Sequence, residues 1–190
     1  MDAMDAIKSK LLENTQYFNK DKIIIQNIEL KRPNAILFDW ENTIIRRNAR
    51  GSFELTDVSI VKLLELLKKY KIYTAIVSNK NSIRLKDEVR KLGFDKFFNK
   101  VLGFDCSPEP KPSIEMMVRA IDDSEIEFGE NIWMIGDSET DMEFAKMSLA
   151  TGILFRKYQN EAINEFSLNL KINSFDEIMN LIDYFYNQEL

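Results

Sequence analysis

Histidine is absent from the 190 residues and cysteine occurs once, as Cys106. These absences remove Ser-His and Cys-His nucleophilic catalysis, an internal disulfide and most zinc chemistry. No run of five or six like charges occurs, and 31 acids against 26 bases leave a net charge of −5, so nothing marks a nucleic-acid surface. The longest apolar runs, such as Ile23 to Ile25 and Ile132 to Ile135, fall far short of the roughly 20 residues a membrane span needs. Asp2 and Asp5 precede the first apolar residues, unlike a basic signal peptide or an acid-poor transit peptide, so the expected location is the cytoplasm. What remains as apparatus is carboxylates, lysines and hydroxyls working with a hard cation.

The stretch Ala35-Ile36-Leu37-Phe38-Asp39-Trp40-Glu41-Asn42-Thr43 offers such an apparatus a place. A short apolar run bounded by polar turn formers reads as a buried parallel strand. In open α/β sheets ligands collect beyond strand ends, which is where Asp39 and Glu41 would stand. An ordinary strand followed by an Asp/Asn turn fits the stretch equally well.

Met4, Ile7, Leu11 and Phe18 recur at helical spacing and predict an amphipathic helix over 4–18, docked on the main body or on a partner. Residues 19–33 read as a linker with a short strand at Ile23 to Ile25, giving an N-terminal segment 1–33 ahead of a main domain 34–190. Arg46, Arg47 and Arg50 lie in a small hairpin or flap closed by Gly51, either solvated or facing a phosphate. Helices are expected through Val58 to Leu67, Ile83 to Leu92, Ile114 to Ile121, Phe144 to Met147 and Ile178 to Phe185. Strands are expected at Ile72 to Val77, Val101 to Phe104, Asn131 to Ile135 and Gly152 to Phe155. The alternation predicts an α/β, Rossmann-like three-layer sandwich around a mainly parallel sheet of about five strands.

Four polar clusters fall at strand ends or helix starts: Asp39/Glu41/Thr43, Ser78, Lys111 and Asp137/Asp141, the last within Gly136-Asp137-Ser138-Glu139-Thr140-Asp141. In this order, over about residues 34–156, they resemble the haloacid dehalogenase-like (HAD) superfamily of phosphotransferases. The resemblance implies that Asp39 is the nucleophile, accepting a phosphoryl group as an aspartyl phosphate. It implies Mg²⁺ held by Asp39, Asp137 and the main-chain carbonyl of Glu41, with Asp141 a further ligand directly or through water. It also implies phosphate contacts from Ser78, Asn79, Thr43 and Lys111, the last spanning nucleophile and phosphoryl group. Converging carboxylates would repel one another, and a hard cation relieves that repulsion. Blander roles exist too: Ser78 capping a strand, Lys111 solvated between Pro110 and Pro112, and Thr140 with Glu143 forming a capping box.

The sequence departs from the family pattern at Glu41, where these phosphatases carry the aspartate that protonates the leaving group and later activates water. Displacing a general acid/base can cost about 10²- to 10⁴-fold. Trp40 is expected to pack against the flap. Thr43 to Val58 and Asn79 to Lys111 are too short for a large cap domain, so the site should be open. The expectation is a capless, Mg²⁺-dependent phosphomonoester hydrolase acting on a phosphorylated small molecule or an exposed phosphate of a larger substrate, with a homo-oligomer left open. The alternatives are a catalytically weak phosphate- or metal-binding regulatory module of the same fold, and an unrelated flavodoxin-like binding domain.

Overall fold

In the computed structural model residues 21–25, 28–156 and 170–187 are described in full, and residues 15–19 as backbone. Among these, the chain opens with an antiparallel meander of β1 (Thr15–Asn19), β2 (Lys22–Ile25) and β3 (Ile28–Lys31). This corrects the end of the expected helix: residues 15–18 are strand, with Tyr17 and Phe18 paired to Ile24 and Ile23. Residues 1–14 lie outside the described part. Thr15, Tyr17 and Phe18 are good strand formers, and β2 supplies a ladder that helical spacing cannot reveal. Ile23, Ile25 and Leu30 project into the main core.

Past Pro33 follow β4 (Ala35–Phe38), a hairpin of β5 (Ile45–Arg47) and β6 (Phe53–Leu55), α1 (Ile60–Lys69), β7 (Tyr73–Val77), α2 (Ser82–Lys91), β8 (Lys100–Leu102) and α3 (Glu115–Ile121). The chain then forms β9 (Ile132–Gly136), α4 (Glu139–Met147), β10 (Thr151–Phe155), β11 (Leu170–Ile172) and α5 (Phe175–Tyr186). The hairpin matches the expected flap, with Gly51 at a φ of 77° in its turn. The strand expected through Phe104 ends at Leu102, and Phe104 instead opens a 3-10 turn, Phe104–Cys106.

The main sheet has six strands in the order β8-β7-β4-β9-β10-β11, every neighbouring pair parallel. The additional strand is β11, Leu170-Lys171-Ile172, which pairs with the edge of β10. β4 is buried at every position because both its faces are covered: Ile36 and Phe38 enter one core, Ala35 and Leu37 the other. The first core takes side chains from α1, α2 and α5, the second from α3 and α4, giving three layers. Asp57 fastens α5 to the start of α1 by accepting from Ser174 Oγ (2.8 Å), Phe175 N (3.1 Å) and Ser59 N (3.2 Å). No helix among the described residues is long and apolar enough to cross a membrane.

The chain winds outward from β4 to β7 and β8, then returns to lay β9 on the opposite side of β4. Winding therefore reverses between β4 and β9, and a crevice opens beyond the carboxyl ends of these strands.

Candidate active site

Strand register brings the first acids together. Phe38 pairs with Ile135, and Asp39 N donates to Ile135 O at 2.9 Å, so Asp39 ends β4 beside Gly136 and Asp137 at the end of β9. Asp141 joins them from the first turn of α4. Carboxylate oxygens of Asp39, Asp137 and Asp141 all lie within 4.8 Å of one another, and all three residues are buried.

Lys111 stands among them. Its Nζ lies 2.7 Å from Asp39 Oδ1 and 2.6 Å from Asp141 Oδ1, with 2% of the side chain exposed, so it is a buried ion-pair partner and not a solvated lysine. Its backbone is held from the end of β7. Asn79 Nδ2 donates to Lys111 O at 3.0 Å, and Lys111 N donates back to Asn79 Oδ1 at 2.9 Å. Both ends of the Asn79 amide thus position Lys111. Ser78 is buried at the same strand end, its N–H donating to Leu102 O at 3.0 Å. Thr43 is fully buried, its carbonyl accepting from Thr56 Oγ1, and its own hydroxyl has no hydrogen-bond partner among the described residues.

The capping box at α4 is formed by Ser138 and Asp141, not by Thr140 and Glu143. Ser138 Oγ accepts from Asp141 N at 3.3 Å, and Asp141 Oδ2 accepts from Ser138 N at 3.1 Å and Ser138 Oγ at 2.6 Å. The helix begins at Glu139, which puts Asp141 at its third position and leaves Thr140 and Glu143 inside the helix. Asp141 therefore starts the helix with one oxygen and holds Lys111 with the other.

Gly136 is a site residue that motif reading passed over, although it stands directly before Asp137. A β-carbon there would collide with the Asp141 side chain. Gly136→Ala is expected to displace the Asp141 carboxylate and to cost about 1–3 kcal/mol in overpacking. Urea unfolding checks this, and an unchanged midpoint would refute it.

Burial pushes the Asp39 carboxyl up to about 7; Asp141 and Asp137 push the same way, and Lys111 opposes them. For Lys111, burial disfavours the charge, but Asp39 and Asp141 outweigh it and hold the ammonium above its ordinary range. Three carboxylates around one ammonium, with only oxygen donors, make a site suited to a hard divalent cation such as Mg²⁺.

Trp40 is fully buried, and its Nε1–H donates to Glu88 Oε2 in α2 at 2.9 Å. Asn42, at a φ of 60°, turns the chain back so that Ile44 N and Ile45 N reach Trp40 O at 3.0 and 3.1 Å. Glu41 rides on this turn with its side chain about half exposed, and Lys80 Nζ lies 2.9 Å from its Oε1. A cavity of about 260 Å³ opens beside it, lined by Glu41, Asn42, Ile45, Arg46, Arg47 and Phe53. Arg46 pairs with Glu54 at 2.5 Å, while Arg47 lies 4.3 Å from the Phe53 ring centre.

A parallel sheet with carboxylates and one buried ammonium at its switch point defines a Rossmann-like α/β protein that can hold an anion beside a cation. The chain belongs to the haloacid dehalogenase-like hydrolase family, whose pattern it matches over residues 51–155. It is 36% identical over 94 residues to the phosphoglycolate phosphatase of Neisseria meningitidis, an alignment covering 48% of this chain and 40% of that protein. It therefore spans about two-fifths of that relative's length. The crystal structure of a HAD-superfamily hydrolase from Ehrlichia chaffeensis superposes with a TM-score of 0.72 at 22% identity, covering 82% of this chain and 98% of that one. YfnB from Bacillus subtilis, solved bound to magnesium, gives 0.59 at 18% identity, over 66% of this chain and 55% of that one.

Proposed function

We propose that this protein is a Mg²⁺-dependent phosphomonoester hydrolase working through an aspartyl phosphate on Asp39. The observation that carries the reading is Lys111, its Nζ held between Asp39 and Asp141 with Asp137 alongside. An ammonium and a carboxylate in contact inside a crevice suit attack on a phosphoryl group, whose transfer requires positioning and compensation of charge.

In the first step a carboxylate oxygen of Asp39 attacks phosphorus, the ester P–O bond breaks, and Glu41 gives its proton to the departing oxygen. In the second, Glu41 takes a proton from water as that water attacks phosphorus. The bond from phosphorus to the Asp39 oxygen then breaks, releasing inorganic phosphate, restoring the Asp39 carboxylate and leaving Glu41 protonated for the next cycle. Lys111 neutralises charge on the phosphoryl oxygens, and Ser78 donates to one of them. Asp39 and Asp137, with the Glu41 carbonyl, would hold Mg²⁺. Asp141, whose two oxygens already serve Lys111 and Ser138, would act through water. When bound, the cation neutralises phosphate charge and the repulsion among the carboxylates. The cavity beside Glu41 suits a small leaving group, in keeping with the phosphoglycolate phosphatase relative.

Phosphate release from p-nitrophenyl phosphate with Mg²⁺, and its loss in EDTA, tests the reading; release that ignores EDTA would overturn it. Metal removal should also show in stability. The folded-state value of Asp39, about 7, is raised above the ordinary 3.8, so the stability tied to its protonated form is complete below about pH 4 and is lost as pH rises through 7. Mg²⁺ is therefore expected to raise the thermal midpoint more at pH 8 than at pH 5. An equal increment at the two pH values would count against a cation at Asp39.

A further inference from the structure

We propose that Lys80 is a positioning residue for the Glu41 carboxylate, the exposed end of a chain that runs from the buried Trp40 indole through Glu88. The proposal rests on the phosphatase reading, because it concerns how that reading's acid/base group is aimed. Lys80 Nζ lies 2.9 Å from Glu41 Oε1 and 2.8 Å from Glu88 Oε2. The Lys80 and Glu88 side chains are only 11% and 12% exposed, against 47% for Glu41. Glu88 is held in turn by Trp40 Nε1 at 2.9 Å, and Trp40 directly follows the nucleophile.

The main chain beneath Lys80 is fastened on both sides. Asn79 is clamped to Lys111, Phe104 N donates to Lys80 O at 2.9 Å, and Asp105 accepts from Ser82 N at 2.7 Å and Asn81 Nδ2 at 3.1 Å. The packing leaves no slack, since a β-carbon on Gly103 would collide with Lys80 O and Ser82 N.

An exposed ion pair is ordinarily worth only about 0–1 kcal/mol, because both side chains lose freedom when it forms. Here the lysine end is already ordered, so Glu41 alone has rotamers to lose. Glu88 shares the Lys80 charge, which makes the contact with Glu41 a tether rather than a fully neutralising pair. The same geometry explains why glutamate stands where the family pattern has aspartate: a carboxylate about 1.5 Å shorter would fall away from Lys80.

The test compares wild type, Lys80→Met, Glu41→Gln and the double variant with Mg²⁺, using an alkyl phosphate, whose leaving group needs a proton, and p-nitrophenyl phosphate, whose leaving group does not. Lys80→Met is expected to lower kcat on the alkyl phosphate by about 10- to 10²-fold. Its KM should stay near wild type, and so should the first-turnover burst of nitrophenolate. In the Glu41→Gln background Lys80→Met should cost nothing further, because it acts through the group already removed. Wild-type kcat in Lys80→Met, an equal loss in the first-turnover rate on the two substrates, or additive losses in the double variant would each overturn the positioning role. Should Lys80→Met not fold, Glu41→Asp replaces it with the same expected loss, and an equal or higher kcat would be fatal to the idea. A wild type that releases no phosphate would overturn the phosphatase reading and this inference with it, whereas an active wild type with an indifferent Lys80 overturns the inference alone.

Discussion

Asp39→Asn is expected to abolish phosphate release, by on the order of 10⁴- to 10⁶-fold, while leaving the metal-free protein at least as stable as wild type at pH 8. The amide has nearly the shape of the carboxylate but cannot attack phosphorus. Stability is preserved because Asp39 is a buried carboxyl beside two others, pushed up to about 7, and its ionised form opposes folding above that pH. Removing one of three negative charges still leaves Lys111 its partner Asp141 at 2.6 Å. Product assays with Mg²⁺ and thermal unfolding in EDTA measure the two halves separately. Turnover near wild type would sink the nucleophile assignment, and a large drop in the metal-free midpoint would contradict the electrostatic account.

Lys111→Met should do the reverse to stability. It fills a similar volume but strips the cation from a pocket in which three carboxylates lie within 4.8 Å of one another. Breaking a buried pair leaves uncompensated charge and costs about 3–5 kcal/mol, whereas the loss of one charged stabiliser of a transition state lowers kcat by about 10²- to 10³-fold. The two effects part company on adding Mg²⁺. A divalent cation should recover much of the stability by screening the carboxylates, yet kcat should stay low because the phosphoryl oxygens still lack the ammonium. Urea unfolding with EDTA and with Mg²⁺ gives the comparison. A variant with the wild-type midpoint in EDTA would show that Lys111 does not hold the cluster together.

Lys111 offsets only part of the charge of the three carboxylates, and its contacts separate the members of the site. Asp141 has one oxygen on Lys111 and the other on the Ser138 cap, so it couples the start of α4 to the lysine. Asp39 lies at the crevice with Lys111 on one oxygen, an arrangement compatible with the proposed nucleophile.

Much of this protein was legible from residue order alone. Apolar runs such as Ala35 to Phe38 and Ile132 to Ile135, short and bounded by polar turn formers, read as strands covered on both faces, and helical spacing marks α1, α2 and α5, because burial imposes those periods locally. Of the candidate site, Asp39 and Asp137 were legible because each directly follows an apolar strand run, whereas Lys111 and Asp141 were picked out by the order of polar clusters that the family resemblance supplies. Three things only the tertiary structure decided. β11 is three residues long, and it is a strand because β10 offers an edge to pair with. The box at α4 could begin at Ser138 or at Thr140, and the close approach of Gly136 to Asp141 selects the earlier register. The contact between Glu41 and Lys80 joins positions 39 residues apart, and Trp40 reaches Glu88 across 48. No local pattern encodes such pairs, because they depend on where strand register and helix packing bring two distant side chains.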